Sequence, residues 1–256
     1  MAENNLKRAA LITGGAIRMG REIALFLASV GYDIALHYHA SAEAAELTQK
    51  KVVALGVKCE VFQADLTLGR KIPELVRRVV QTFPNLSVLV NSASGYRQAR
   101  LLETTPEIFE SQMRLNVQAP FFLTKSFAER CGKGSVINII DNKIAYNQFH
   151  YAAYLLSKKS LAEFTKMAAM ELAPHIRVNG VSPGVVLPAE SRSQEYIDWR
   201  VAGIPLKKQG SPANITHAIR YLLDNPFVTG QILFVDGGEA TAHLGLNAGM
   251  YDQDKV

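Results

Sequence analysis

Seven short apolar runs, separated by stretches of helical pattern, constrain this chain more than anything else in it. The runs are Ala9–Ile12, Asp33–His37, Val57–Gln63, Val88–Val90, Ser135–Ile140, Ile176–Val181 and Ile232–Val235. Most are apolar at successive positions rather than at every second one, which suits strands covered on both faces. Between them, residues 19–29, 42–55, 72–82, 106–130, 151–172 and 213–223 carry helical pattern, with Gly31, Gly56 and Pro174 as stops. Strand and helix in alternation predict an α/β architecture: a doubly wound parallel sheet of about seven strands with helices on both faces. At 256 residues and 48% hydrophobic composition the chain can fill a core without metal or disulfide staples. No repeat or linker divides it, so 1–256 reads as a single domain. A polar stretch, 191–210 within a lid segment starting near residue 187, and a tail at 239–256 are its irregular parts.

Several function classes are excluded early. No apolar run approaches the ~20 residues of a membrane span. The N-terminus, MAENNLKRAALITGG, has no long apolar segment of the secretory kind. Cys59 and Cys131 are far apart and form no zinc pattern; two free thiols fit a reducing, cytoplasmic setting. The net charge of +5 comes from scattered pairs such as Lys50–Lys51 and Arg77–Arg78, a solvated surface attractive to small anions rather than a nucleic-acid patch.

Directly after the first strand comes Thr13-Gly14-Gly15-Ala16-Ile17-Arg18-Met19-Gly20, then a helix. A glycine turn there lets backbone N–H groups approach a pyrophosphate, and the helix N-terminus adds partial positive charge. The second strand ends His37-Tyr38-His39-Ala40-Ser41 without the acid that holds a free ribose diol. His39, Ser41 and nearby Arg18 can receive a 2′-phosphate instead, which favours NADP over NAD. His37 and His39 alternate onto one strand face and could also be metal ligands, but no third ligand is visible, so no metal is expected. A buried, hydrogen-bonded histidine is the bland reading and suits His37 better than His39.

Tyr154 and Lys158 lie four apart at the start of the long helix, on one face. An ammonium beside a phenol favours the phenolate and makes the phenol a better acid near neutral pH. Such a pair can deliver a proton as a hydride reaches a carbonyl or imine. The spacing recurs at Tyr251 and Lys255 in the polar tail, where it reads as accidental.

The combination resembles the short-chain dehydrogenase/reductase family across nearly the whole chain. Its carriers are the TGGAIRMG turn, Asp65-Leu66, the Asn91-Ser92-Ala93-Ser94 turn, Asn116, Tyr154 with Lys158, Pro183-Gly184 and Val235-Asp236-Gly237-Gly238. The resemblance implies a nicotinamide cofactor across the carboxyl ends of the strands. The implied contacts are Gly14, Arg18, Met19, Tyr38, His39, Ser41, Asp65, Leu66, Asn91, Ala93, Ser94, Tyr154, Lys158, Pro183 and Gly184. It implies Asn116, Tyr154 and Lys158 as a proton relay, with Asn116 holding the relay water, and a homotetramer as the assembly.

Departures from the family pattern narrow the resemblance. Arg18 stands where the family has its middle glycine, Asp141 stands thirteen residues before Tyr154 where a serine is usual, and Asn-Ser-Ala-Ser replaces Asn-Asn-Ala-Gly. These are similar to the pteridine reductase branch, which includes dihydromonapterin reductases. That branch implies substrate contacts at Arg18, Ser94, Tyr96, Asp141 and Tyr154, with Tyr96 stacking on the pterin ring and Asp141 helping to supply a proton through water. Ala40 and Val186 depart from the branch and the family, respectively. The leading expectation is an NADPH-dependent reductase of a pterin-like small molecule. A carbonyl or 3-oxoacyl reductase is the second reading. A non-catalytic NADP-sensing binding protein is the third, and the intact Asn116, Tyr154 and Lys158 argue against it.

Overall fold

A computed structural model describes residues 8–188, 192–242 and 251. Strands β1 (Ala9–Ile12), β2 (Asp33–Tyr38), β3 (Cys59–Gln63), β4 (Leu86–Asn91), β5 (Gly134–Ile139), β6 (Ile176–Pro183) and β7 (Ile232–Val235) form one sheet in the order β3-β2-β1-β4-β5-β6-β7. Every pairing is parallel. The helices are α1 (Arg18–Ser29), α2 (Ala42–Val53), α3 (Ile72–Thr82), α4 (Pro106–Met113), α5 (Ala119–Cys131), α6 (Ala152–Leu172), α7 (Gln194–Ala202) and α8 (Pro212–Asp224). The strand order reverses between β1 and β4, and a crevice opens there at the carboxyl ends of the strands.

Alternate residues of each strand serve opposite faces, which is why the runs are apolar throughout. Ala10 and Ile12 join the core built with α1, α2 and α8, whereas Ala9 and Leu11 join the core built with α3, α5 and α6. All four are fully buried.

Two expectations change. The predicted helix over 106–130 is interrupted by a π-helical turn at Arg114–Gln118, centred on buried Asn116. Such bulges re-aim side chains inside a helix and collect at functional sites. The polar stretch 191–210 is not all loop, because α7 lies within it; the hydroxyl of Ser193 caps it by accepting from the Tyr196 amide at 3.2 Å. The other element ends shift by a residue or two, the ordinary uncertainty of a boundary. No helix among the described residues is long and apolar enough to cross a membrane. The two thiols are free, and burial pushes Cys59 up to about 12 and Cys131 up to about 11, so both are inert.

Candidate active site

Two adjoining hollows open at the crevice. The first is a groove of about 400 Å³ along the β1 turn, lined by Gly14, Arg18, Met19, His39, Asp65, Leu66, Ser94 and Tyr96 among others. The second is a cleft of about 260 Å³ between the Asp141 loop, the end of β6 and α7. Arg18 and Tyr96 line both.

The floor of the groove is built for close approach. Gly14 has φ +64°, and a Cβ there would lie 3.0 Å from Ala93 Cα, so the β1 turn and the β4 turn touch through backbone. Thr13 fixes that contact, its Oγ1 accepting from the amides of Ser92 and Ala93 at 3.0 and 3.1 Å. His37 supports the turn from below. Its Nδ1 accepts from the Gly14 amide at 3.2 Å, and its Nε2 sits 3.0 Å from the Ala64 carbonyl. Burial lowers its pKa to about 4, so the ring is neutral and donates from Nε2. Both nitrogens being engaged, His37 is the structural histidine and has no lone pair for a metal. Among the described residues no three His, Cys, Asp or Glu side chains cluster as metal ligands.

His39 is different in kind. Its side chain is 63% exposed on the groove, with Nε2 3.9 Å from Asp65 Oδ2. The Asp65 carboxylate accepts from the amide and hydroxyl of Thr67, which lower its pKa. Arg18 occupies a left-handed backbone conformation, φ 51°, and its Nη2 donates to the Leu187 carbonyl at 2.5 Å, tying the β1 turn to the segment after β6. No acid occupies the first turn of α1, and no side chain caps it. Open backbone amides and a nearby cation suit a pyrophosphate.

Other predicted contacts have neighbours within the chain, and Gly184 lines the cleft as well. The Asn91 side chain turns into the sheet, donating to Asn138 Oδ1 at 2.8 Å. Tyr38 packs on the core, and Ser41 begins α2 with its hydroxyl making no cap bond. Gly184 meets the end of β7, where a Cβ would lie 2.7 Å from the Asp236 Cβ.

In the cleft, Tyr154 Oη donates to Asp141 Oδ2 at 2.6 Å, and Asp141 Oδ1 accepts from the Lys143 amide at 2.9 Å. Lys158 is buried, with Nζ donating to the Ile139 carbonyl at 3.0 Å and lying 5.9 Å from the Tyr154 ring centre. The expected acidification of the phenol is therefore reversed in this state. Burial, followed by the Asp141 charge, raises the Tyr154 pKa well above its ordinary value. Burial lowers Lys158 to about 8.

The Asn116 side chain is fully engaged. Its Oδ1 accepts from Ser94 Oγ and the Gly95 amide at 3.0 and 2.9 Å, while Nδ2 donates to the Gly95 carbonyl and Ser157 Oγ, both at 3.0 Å. It clamps the β4 turn against α6, and its amide has no capacity left to hold a relay water. Tyr96 stacks on Tyr151 at 4.7 Å and stands edge-on to Tyr154 at 4.7 Å.

Four residues of this region are invisible to local pattern. Asn142 Nδ2 donates to Glu239 Oε2 at 2.8 Å, and Glu239 Oε1 accepts from Arg200 Nη2 at 2.7 Å, all three side chains buried. Lys143 is buried beside Tyr96, donating to its Oη at 3.0 Å. Trp199 packs with Tyr196 and Tyr251 rather than standing alone. Lys255, Leu244, Leu246 and Met250 lie outside the described residues.

Residues 15–239 match the profile of the family described as enoyl-(acyl carrier protein) reductase. The chain belongs to the short-chain dehydrogenase/reductase family. A 3-oxoacyl-[acyl-carrier-protein] reductase, FabG, of Staphylococcus epidermidis is 30% identical over 241 residues, covering 91% of this chain and 99% of the relative. Two solved structures are also similar. FolM alternative dihydrofolate reductase 1 of Brucella suis, in complex with NADP, has a TM-score of 0.87 at 29% identity, covering 94% of this chain and 97% of that one. The Brucella canis counterpart, also with NADP, has a TM-score of 0.86 at 29% identity over 91% and 94% of the two chains. This chain is thus an oxidoreductase of that family.

Proposed function

We propose that this chain is an NADPH-dependent reductase of dihydropterin-type substrates, with Asp141 and Tyr154 delivering the proton. The observation that carries the reading is the 2.6 Å hydrogen bond from buried Tyr154 to Asp141, a residue of the cleft lining. A carboxylate accepts from N–H groups, which a pterin edge offers in number, whereas it repels the oxygen of a ketone. The Brucella FolM structures support the same substrate class and the same cofactor.

The groove accommodates a dinucleotide: a turn where a Cβ would collide with Ala93, uncapped α1 amides, and His39 with Arg18 for a 2′-phosphate. The nicotinamide, when bound, supplies the hydride. Tyr154 then holds the reacting proton, because its raised pKa keeps the phenol protonated. Asp141 receives a proton from solvent and passes it on through water to the ring nitrogen or back to the phenol. Lys158, buried and lowered to about 8, supplies positive charge near the tyrosine and would hold the ribose when the cofactor binds. Tyr96 offers a ring for stacking: Tyr151 covers one face, and the side chain borders both hollows at 52% exposure. Ser94 and Asn116 hold the turn that carries it.

The second reading is 3-oxoacyl reduction, favoured by the FabG likeness. Purified protein is assayed for NADPH oxidation with dihydrobiopterin, dihydromonapterin and an acetoacetyl thioester, and again with NADH. Turnover of a dihydropterin preferred over the thioester, with NADPH preferred over NADH, is the expected outcome. Preference for the thioester would transfer the chain to the second reading.

A further inference from the structure

Lys143 is used by nothing described so far. Its side chain is buried, and its ammonium donates to Tyr96 Oη at 3.0 Å, 5.0 Å from the ring centres of both Tyr96 and Tyr151. Among the described residues no carboxylate forms an ion pair with it. A methionine would fill similar space without the cost of burying a charge. What the ammonium adds is a directional, charge-assisted bond to one hydroxyl.

Tyr96 is a side chain that needs such a bond. It lies in residues 92–98, which form neither helix nor strand. The backbone is tied on either side of it, Gly95 to the Asn116 side chain and Ala99 to Tyr151 through an isolated parallel bridge. The ring is half exposed, stacked on Tyr151 and edge-on to Tyr154. Ring contacts let an aromatic side chain slide, whereas the bond from Lys143 fixes its hydroxyl end. Lys143 also belongs to the Asp141 turn, its amide donating to Asp141 Oδ1 at 2.9 Å. One short turn therefore presents the carboxylate bonded to Tyr154 and, two residues on, the cation that pins Tyr96.

We infer that Lys143 is a positioning residue: it holds the Tyr96 ring in place beside the Asp141–Tyr154 pair before substrate arrives. The inference rests on the reductase reading above and concerns how its flat substrate is seated. Lys143 acts through Tyr96 rather than on the substrate. Without the bond the ring must be ordered at each binding event, at the expense of affinity.

The test measures kcat and KM for dihydrobiopterin, and KM for NADPH, in the wild type, Lys143→Met, Lys143→Arg, Tyr96→Phe and the double variant Lys143→Met/Tyr96→Phe. In Lys143→Met the KM for dihydrobiopterin rises about tenfold, while kcat and the KM for NADPH stay within about twofold. Tyr96→Phe keeps the ring, loses the acceptor and shows a similar rise. The double variant is no worse than either single one, because both changes remove the same bond. Lys143→Arg, which still donates to Tyr96 Oη, recovers most of the wild-type KM. Losses that multiply in the double variant, a KM for NADPH that rises in step, or an unchanged KM for dihydrobiopterin in Lys143→Met would each overturn the inference and leave the reductase reading standing. A wild type that reduces the acetoacetyl thioester but not dihydrobiopterin overturns both, and is seen before any variant is made.

Discussion

The groove under β1 and β2 and the cleft around Asp141 share Arg18 and Tyr96 as walls, yet they are held by different forces. The groove is set by backbone: a glycine turn, Thr13 bracing two amides, and His37 kept neutral between Gly14 and Ala64. The cleft is set by charge: Asp141 on Tyr154, Asn142 on Glu239, Glu239 on Arg200. A backbone scaffold binds the same cofactor whatever the chemistry, whereas charged side chains decide which substrate reacts. Changes in the cleft should therefore move rate and specificity, and changes in the groove should move stability and cofactor preference.

The largest expected effect is on the cleft. Tyr154→Phe removes the proposed proton donor and should lower kcat by about 10²–10⁴-fold. NADPH binding, followed by fluorescence titration, should remain close to wild type. A variant with wild-type turnover would remove Tyr154 from the chemistry.

Next is the buried ion pair. Glu239→Ala leaves Arg200 without its partner and Asn142 without its acceptor, and should cost about 3–5 kcal/mol in urea unfolding. A loss under 1 kcal/mol would show that the pair does not hold the Asp141 loop.

His37 sharpens the comparison from the groove side. Its folded pKa, about 4, lies below the ordinary 6.5 because burial penalises the charged ring. Between these values the unfolded chain binds a proton that the native chain does not, so stability rises with pH across that window and is lost as pH falls through it. The contribution is about 3 kcal/mol, fully present above pH 6.5. His37→Gln keeps an acceptor for Gly14 and a donor for Ala64 but cannot titrate, so the slope between pH 4 and 6.5 should flatten. An unchanged slope would place the titrating group elsewhere.

The smallest effect belongs to His39. His39→Ala should reduce the preference for NADPH over NADH on the order of tenfold, measured as a ratio of kcat/KM, because the proposed contact to the 2′-phosphate is lost.

The two regions also differed in how far they could be read from sequence. The groove was legible because its parts are local: strand, glycine turn and helix follow one another over residues 9–29. Strand alternation puts His37 and His39 on one face and does not separate them; burial of the first and exposure of the second do. Asp141 and Tyr154 were legible only through a family spacing, and the structure brings them to 2.6 Å. Asn142, Lys143, Arg200 and Glu239 were not, because their partners are 97, 47 and 39 residues away and no local pattern encodes such pairing. Helix α7 was hidden by its polar composition, although Ser193 followed by Glu195 is a cap signal. The π turn left one trace, an asparagine inside an otherwise helical run. The direction of the Tyr154 shift is not legible in the sequence, because spacing reports that Lys158 is near but not that burial and the Asp141 charge outweigh it.

The most direct test is the ratio of kcat/KM for dihydrobiopterin to that for an acetoacetyl thioester, in the wild type and in Asp141→Ser. If Asp141 relays the proton to a heterocyclic nitrogen, the ratio drops about 10²-fold or more in the variant, with the pterin rate carrying the loss. Equal losses on both substrates, or a pterin rate that survives the substitution, would contradict the assignment of Asp141 and Tyr154 as a shared proton source.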